Sequence, residues 1–264
     1  MQPQNKPPLV FITGASSGLG AALARHYARQ GATLGLCGRR LDALKQLAQG
    51  LNAHCYVADV RDAKAMQTAA QAFIRDAGVP DIVIACAGIS VGVLTEEAED
   101  LPVFQAVMDA NVMGLLHTFH PFLPAMQARA KPSSGAGGVL CGIASVAGVR
   151  GLPGGSAYSA SKAAAAVYLE ALRVEQKPRG IAVVTVSPGY IDTPMTAVNP
   201  YPMPFRMSAD AAAEAVARAI HRRRGHVVIP WQMALVARLL RLLPDALYDR
   251  LFTNAPHKPR GLKT

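Results

Sequence analysis

Charged, aromatic and cysteine residues are all scarce in this chain of 264 residues. Charged residues make up 17% of it and aromatic residues 6%. The four cysteines are dispersed, with neither a C-x-x-C pair nor histidines at the intervals of metal ligands. We therefore predict no metal site, and we interpret the cysteines as buried thiols of a reducing compartment: Cys37, Cys55, Cys86 and Cys141.

Long apolar runs are also missing. The longest candidate for a membrane span, "ALVARLLRLL" at 234–243, is too short and contains two arginines. The first residues, "MQPQNKPP", include no apolar segment of the kind that a secretory signal requires. We therefore expect a soluble, cytoplasmic protein.

Acidic residues are outnumbered, since 17 Asp and Glu stand against 27 Lys and Arg and leave a formal charge of +10. Basic proteins often bind nucleic acid, membrane headgroups or phosphorylated ligands. The basic residues here are scattered, and the dense run "HRRRGH" at 221–226 offers neither interleaved aromatics nor a recognition helix. We expect a small-molecule partner and no nucleic-acid binding.

Short apolar runs rich in Val and Ile alternate with longer helical patterns. Runs such as "LVFIT" and "IAVVTVS" are typical of buried strands, whereas "SAYSASKAAAAVYLEALRVEQ" has apolar residues at helical spacing. The alternation predicts an α/β fold, a single Rossmann-type doubly wound parallel sheet of about seven strands with helices on both faces. We divide the chain into a flexible N-terminus at 1–8, a Rossmann domain at 9–230 and a basic helical C-terminal extension at 231–264.

The segment "TGASSGLG" follows the first predicted strand and opens the first helix. Its glycines, Gly14, Gly18 and Gly20, let the backbone turn tightly and approach a pyrophosphate at a helix N-terminus. An ordinary tight turn capped by Ser16 or Ser17 is the alternative. The position between strand and helix favours a dinucleotide-binding loop.

The second predicted strand ends in "CGRR", with Gly38 near the place where NAD-binding loops offer an acidic residue to the ribose. The guanidinium groups of Arg39 and Arg40 can clamp a 2′-phosphate, which a carboxylate would repel. The alternative is that one arginine only flanks the start of the next helix at Asp42. We expect NADP(H) in preference to NAD(H).

A set of short motifs occurs in one order along the chain. They are "TGASSGLG", "ADV" at 58–60, "CAG" at 86–88, "AN" at 110–111, "IASVAG" at 143–148, "YSASK" at 158–162 and "SPGYIDT" at 187–193. In residues, order and spacing the set resembles the short-chain dehydrogenases/reductases, from about Leu9 to Thr193. The resemblance implies an oxidoreductase that interconverts a carbonyl and an alcohol, as a homodimer or homotetramer.

The resemblance also implies which residues form the site. Its catalytic set is Asn111, Ser145, Tyr158 and Lys162, with Asn111 holding a water in a proton relay behind the lysine. The alternative for Asn111 is that its amide only caps or bends its helix. The residues expected to bind the cofactor are Gly14, Ser16, Ser17, Gly18, Leu19, Gly20, Arg39, Arg40, Asp59, Val60, Ala87, Gly88, Tyr158, Lys162, Pro188, Gly189, Ile191 and Thr193.

Three positions need separate comment. Asp59 resembles the residue that accepts a hydrogen bond from the adenine amine, although a plain strand-end Asp is the alternative. Thr193 resembles the threonine placed on the nicotinamide carboxamide. Cys86 departs from the family pattern, because it replaces an asparagine whose amide braces neighbouring strands.

Carbonyl chemistry explains why Tyr158, Lys162 and Ser145 belong together. Reduction needs a hydride at the carbon and a proton at the oxygen. A free phenol titrates near ~10, and we expect a cation one helical turn away to lower the pKa by favouring the phenolate. Ser145 can donate a hydrogen bond to the substrate oxygen as charge develops there. A packed ring with a neighbouring lysine that reaches past it to water is the alternative.

Two further segments bear on the substrate. Residues 194–208 stand where the family closes a lid, and their Pro, Met and aromatic content favours a lipophilic carbonyl such as a 3-oxoacyl compound or a steroid-like ketone. The extension repeats apolar residues at helical spacing, and Pro244 is expected to divide it into two helices. Three roles stay open for it: packing on the domain or a partner subunit, gating of the cleft, or peripheral contact with an anionic membrane.

A non-catalytic regulator or scaffold that binds a dinucleotide in the same fold is the alternative to an enzyme. It would keep the pocket without turnover. The presence of Ser145, Tyr158 and Lys162 together counts against it, because a binding module has no need of an acid–base set.

Overall fold

Seven parallel strands form the centre of the described residues, 6–130 and 137–261, in this computed structural model. Their order across the sheet is β3-β2-β1-β4-β5-β6-β7. The predicted flexible N-terminus at 1–8 falls largely outside the described residues, which begin at Lys6. The strands are β1 Leu9–Thr13, β2 Thr33–Gly38, β3 Ala53–Val57, β4 Ile82–Ala85, β5 Gly138–Ile143, β6 Ile181–Pro188 and β7 His226–Ile229.

Helices lie between the strands and pack on both faces of the sheet. On one face α1 and α9 lie against each other, and on the other face α3, α5 and α7 contribute to a second core cluster. The helices are α1 Gly18–Arg29, α2 Leu41–Ala48, α3 Ala63–Asp76, α4 Leu101–Met108, α5 Gly114–Phe119, α6 Leu123–Arg129, α7 Ser156–Gln176, α8 Pro194–Ala197, α9 Ala209–His221, α10 Trp231–Leu242 and α11 Asp245–Phe252.

Alternate residues of β1 reach the two halves of the core. Phe11 packs against Phe73 of α3, with ring centroids 5.4 Å apart, and against Phe122 at 4.8 Å. Val10 and Ile12 are buried on the opposite face, in the cluster that includes α1 and α9. Because side chains alternate along a strand, both faces of a central strand need a cover of helices. The predicted Rossmann-type doubly wound sheet is confirmed.

The strand order reverses at β1, because β4 returns to pair with the side of β1 opposite to β2. In open parallel sheets, ligands bind beyond the carboxyl ends of the strands at such a reversal. Thr13 ends β1 here, and its hydroxyl donates to the Ile84 carbonyl at 3.4 Å and accepts from the Cys86 amide at 3.3 Å. This hydroxyl holds β1 and β4 together at the mouth of the crevice.

The elements predicted from apolar patterns lie within three residues of the observed ones. The run "LVFIT" is β1, "SAYSASKAAAAVYLEALRVEQ" is α7, and Pro244 separates α10 from α11. A π-helical turn at Asp109–Met113, between α4 and α5, was not predicted. Such a turn widens a helix by one residue per turn, and apolar spacing gives no sign of it.

The C-terminal extension packs on the domain. Arg150 donates to the carbonyl oxygens of Leu240 and Leu243, at 3.3 and 2.9 Å, and the Tyr248 hydroxyl donates to the Gly151 carbonyl at 2.6 Å. None of the helices within 6–130 and 137–261 has both the length and the hydropathy that a membrane crossing requires. Of the three roles considered for the extension, packing on the domain is observed.

Gly35 of β2 faces the aromatic cluster, where an added Cβ would lie 2.5 Å from Cδ2 of Phe11 and 2.6 Å from Cδ2 of Phe73. We predict that Gly35→Ala lowers the free energy of unfolding by about 1–3 kcal/mol, because packed rings must shift. Gly151→Ala is the matched control, since a Cβ there meets no atom within 4 Å. Urea denaturation measures both, and equal stability of the two variants would contradict the prediction.

Candidate active site

A cleft of about 700 Å³ opens at the carboxyl ends of the strands. Every residue predicted to bind the cofactor lines it. The predicted catalytic residues Ser145, Tyr158 and Lys162 line it as well. Asn111 lies behind the wall, where a Cβ on Gly88 would come within 2.8 Å of its Oδ1. The fold therefore brings together motifs that are far apart in the sequence.

The glycine loop is too tightly packed for side chains at its glycine positions. Gly14 has a φ of +69°, and a Cβ there would lie 2.8 Å from the Ala87 backbone. A Cβ on Gly20 would overlap the Gly14 carbonyl oxygen. α1 begins at Gly18, and its N-cap residue Ser17 makes no side-chain capping hydrogen bond within the described residues. The loop thus fits the approach of a pyrophosphate better than the capped turn.

Arg40 supports the glycine loop from the end of β2. Its Nη2 donates to the carbonyl oxygen of Ser16 at 3.3 Å and to the Ser16 hydroxyl at 3.2 Å. Arg39 is exposed at the rim of the cleft and contributes to lowering the pKa of Asp59. The two arginines therefore have different surroundings, one bound to the loop and one facing solvent.

The carboxylate of Asp59 is held by Arg61. Nη2 of Arg61 donates to Oδ2 at 2.7 Å, and its Nε lies 3.1 Å from both carboxylate oxygens. These hydrogen bonds are the main cause of the lowered pKa of Asp59. Arg61 lines the cleft and was not singled out from the sequence, although it follows Asp59 by two positions in "ADVRD".

Lys162 brings a positive charge into the interior. Its side chain is on α7, the residue is only 6% exposed, and Nζ donates to the Ile143 carbonyl at 2.8 Å. Burial lowers the pKa of Lys162 to about 8. Nζ also lies 5.7 Å from the ring centroid of Tyr158, one helical turn earlier. The spacing of "YSASK" therefore does place both groups on one side of α7.

Tyr158 is half-buried, and burial raises the pKa of its phenol. A hydrogen bond with Ser145 acts in the opposite direction and favours the phenolate. The sequence-based expectation of a lowered pKa for Tyr158 is wrong, because burial has the largest effect. The phenol thus keeps its proton at neutral pH, as a proton donor must.

Ser145 lies at the carboxyl end of β5 and begins the 3₁₀ turn Val146–Gly148. Its Oγ accepts from the Ala147 amide at 3.1 Å and donates to the Pro188 carbonyl at 3.4 Å. The weak, long donation to Pro188 is one that a substrate oxygen can replace. The hydroxyl is therefore oriented into the cleft between β5 and β6.

Asn111 joins two parts of the wall from within the π-helical turn. Its Oδ1 accepts from the Ile89 amide, and its Nδ2 donates to the Ile89 carbonyl and to the Ser161 hydroxyl, each at 2.9 Å. The residue is only 2% exposed. Its amide thus links the loop after β4 to α7 beside Lys162, which is more than capping or bending its own helix.

Cys86 lines the cleft as a neutral thiol, because burial raises its pKa to about 12. Thr13, at the end of β1, contacts the backbone at this position. Its hydroxyl lies 3.3 Å from the Cys86 amide and 3.5 Å from the Ala87 amide. The Thr13 hydroxyl thus joins the end of β1 to the backbone after β4.

The predicted lid is a short helix followed by an irregular segment. Thr193 and Thr196 form a capping box at the start of α8, where their hydroxyl oxygens lie 3.3 Å apart. Tyr201 lies near Tyr190, with ring centroids 6.5 Å apart. Burial raises the pKa of Tyr201, and the nearby phenols of Tyr190 and Tyr158 add to the effect. The predicted lid therefore lies near Tyr158, the predicted proton donor.

A C-terminal strap, residues 257–260, was missed in the sequence. Nζ of Lys258 donates to the Ser90 hydroxyl at 3.0 Å and to the Met195 carbonyl at 3.1 Å. The Pro259 carbonyl accepts from the Gly92 amide at 3.0 Å. These contacts connect the loop after β4 with the lid, so the end of the chain forms part of the cleft's surroundings. No local sequence motif predicts a contact between residues so distant in sequence.

Comparison with known proteins assigns the family. The short chain dehydrogenase family model matches residues 8–201. An uncharacterized oxidoreductase of Myxococcus xanthus is 38% identical over 90% of this chain and 94% of the relative. Dehydrogenase/reductase SDR family member 7B of Xenopus laevis is 34% identical over 95% of this chain and 82% of the relative. The chain belongs to the short-chain dehydrogenase/reductase family of oxidoreductases, as its motifs predicted.

Solved structures share the fold. A short chain dehydrogenase from Burkholderia cenocepacia, in complex with NADP, has a TM-score of 0.80 and 27% identity, covering 93% of this chain and 98% of that one. An alcohol dehydrogenase from the archaeon Thermococcus sibiricus, complexed with 5-hydroxy-NADP, has a TM-score of 0.73 and 25% identity, covering 84% and 95%. Both agree with the sheet described above.

We predict that Arg260→Gln loosens the C-terminal strap, because Nε of Arg260 donates at 2.7 Å to the carboxylate of Asp100, which is only 4% exposed. Hydrogen exchange of the Gly92 amide should then become faster. Arg218→Gln is the matched control, since Arg218 pairs at 3.6 Å with an exposed glutamate on α9. Unchanged exchange at Gly92 in the Arg260 variant would contradict the strap's role.

Proposed function

We propose that this protein is an NADP(H)-dependent oxidoreductase that interconverts a carbonyl and an alcohol, with residues 9–230 as its catalytic domain. The observation that carries the proposal is the position of Ser145, Tyr158 and Lys162 on one cleft with the glycine loop. A structural core rarely needs a buried lysine, a phenol and a hydroxyl around an open cavity. The alternative, a regulator that binds a dinucleotide without turnover, leaves this set unexplained.

The chemistry divides between the cofactor and the protein. Bound NADPH supplies the hydride that the carbonyl carbon accepts. Tyr158 gives the proton to the carbonyl oxygen, while Ser145 donates a hydrogen bond to the same oxygen as it becomes negative. Lys162 would bind ribose hydroxyls of the cofactor and would stabilise the phenolate that remains on Tyr158. Asn111 holds α7 in position. A water bound beside Asn111 would return a proton to Tyr158 by way of Lys162.

The arginines after β2 support a preference for NADP(H) over NAD(H). Arg39 is exposed at the rim of the cleft, and Arg40 lies against the glycine loop. A 2′-phosphate there would face two guanidinium groups and no acidic residue of "CGRR". The two similar structures are complexes with NADP or 5-hydroxy-NADP, which supports the binding of a nicotinamide dinucleotide here.

The lid supports a lipophilic carbonyl as the substrate, such as a 3-oxoacyl compound or another bulky ketone. Met195 lines the cleft, and Val198 and Phe205 are exposed on the lid. Apolar lid residues exclude water from a bound substrate and leave small polar sugars without hydrogen-bond partners. Exposed apolar residues on α4 and α7, among them Leu101 and Val167, support assembly into a homodimer or homotetramer.

We predict that Tyr158→Phe lowers kcat for ketone reduction by about 10²- to 10⁴-fold, because the variant lacks the proton donor. The dissociation constant for NADPH should change little. Tyr168→Phe is the matched control on the same helix. NADPH oxidation is followed at saturating cofactor across a panel of lipophilic ketones. NADPH oxidation no faster than background in both the wild type and Tyr158→Phe, for every ketone, would favour the regulator.

We predict that Arg39→Ala weakens NADPH binding by roughly 10- to 100-fold, which is the loss of one charge-assisted phosphate contact. NADH binding should stay within about threefold, because NADH has no phosphate at that position. Arg40→Ala should weaken both cofactors, since Arg40 also holds the glycine loop at Ser16. Arg29→Ala is the control, and fluorescence titration is the measurement. Equal losses of affinity for NADPH and NADH in Arg39→Ala would contradict the proposed contact between Arg39 and the 2′-phosphate.

A further inference from the structure

Helix α10 is apolar on two opposite faces. Met233 and Ala237 are buried against the domain, and a Cβ on Gly189 would lie 2.6 Å from Cγ of Met233. At 100° per residue, the four large apolar residues that are exposed fall in an arc of about 80° on the far side of the helix. They form an exposed apolar stripe: Trp231, Leu235, Leu239 and Leu242. One face of α10 therefore packs on the domain, and the opposite face is exposed to solvent.

The exposure of this stripe is large. Trp231 is 68% exposed, Leu239 67% and Leu242 81%. Leu247 and Leu251 of the next helix, α11, are also exposed. Single exposed apolar residues are common, but a row of them on consecutive helices marks a surface that meets an apolar neighbour.

Two basic residues lie on one side of the stripe. Arg238 and Arg241 are exposed, and no carboxylate in the described part of the chain lies within salt-bridge distance of either. α10 itself contains no acidic residue. An apolar face that ends in a tryptophan and is edged by arginines is typical of helices that lie in the headgroup layer of a membrane.

We infer that the exposed apolar stripe docks on an anionic membrane surface. A second copy of this chain fits the stripe less well, because a two-fold interface would bring Arg238 and Arg241 against or near the same charges of the other copy. Phosphate headgroups have the complementary charge. Each arginine near such a surface contributes about a fivefold gain in binding.

Docking would also bring the cleft to the lipid. Met233 packs on Gly189, which lines the cleft, so α10 borders the site. Val198 and Phe205 add exposed apolar groups on the lid. A lipophilic ketone dissolved in the bilayer could then enter without crossing water. This last step rests on the proposed function, whereas the docking itself does not.

The test is co-sedimentation of the purified full chain with vesicles of phosphatidylcholine, alone or mixed with phosphatidylglycerol, at low salt. We expect binding to the mixed vesicles and much weaker binding to phosphatidylcholine. Replacing Leu235, Leu239 and Leu242 together by Ser should remove it, and Arg238→Ser with Arg241→Ser should weaken it about thirtyfold. Leu41→Ser with Val57→Ser, exposed apolar positions at the opposite edge of the sheet, is the matched control.

Three results would overturn the inference: no binding to mixed vesicles at low salt, unchanged binding of the triple Ser variant, or equal losses in the control. Light scattering supplies a further check, because a drop in oligomer mass in the triple variant would assign the stripe to a second copy. Tyr158→Phe should bind vesicles like the wild type. Vesicle binding without NADPH-dependent turnover in the wild type would therefore sink the proposed function alone.

Discussion

The buried ammonium of Lys162 is the interaction on which the rest of the site depends. Its donation to the Ile143 carbonyl at 2.8 Å ties α7 to the end of β5 and fixes the side of α7 that faces the cleft. An ammonium has three donors, and Ile143 provides its acceptor among the described residues. A buried charge whose hydrogen-bond donors are not all paired is costly unless a ligand supplies the acceptors. Asn111 secures the same helix through Ser161, so the lysine's position is held from two directions.

The two ends of the cleft are built from different parts of the chain. The glycine loop and the arginines after β2 form one end early in the sequence, at the reversal of strand order. The other end is closed by the lid and by the C-terminal strap, whose Lys258 is buried enough that its pKa falls to about 8. The strap follows α10 and α11 along the chain. The strap and the exposed apolar stripe therefore both belong to the C-terminal extension.

The parts of the structure that could be predicted from the sequence are those set by local pattern. The period of apolar residues identified the strands and α7, and the close packing of Gly14 and Gly20 explains why only glycine serves in "TGASSGLG". Contacts between distant segments could not be read in this way. The pairing of Arg61 with Asp59, the contacts of Thr13 and the strap all depend on tertiary packing. Burial likewise raises the pKa of Tyr158, whereas the spacing of the charged residues alone had predicted a lowered pKa.

The most direct test of the role of Lys162 is NMR titration of its Nζ in protein with ¹⁵N-labelled lysine, assigned with Lys162→Arg, with and without NADPH. Without the cofactor, we predict that Lys162 titrates with a pKa of about 8, because burial favours the neutral amine. Saturating NADPH should raise this pKa, since ribose hydroxyls and phosphates favour the ammonium. An ordinary lysine pKa near ~10.4 in the free protein, unmoved by NADPH, would contradict both the buried charge and its place in the cofactor site.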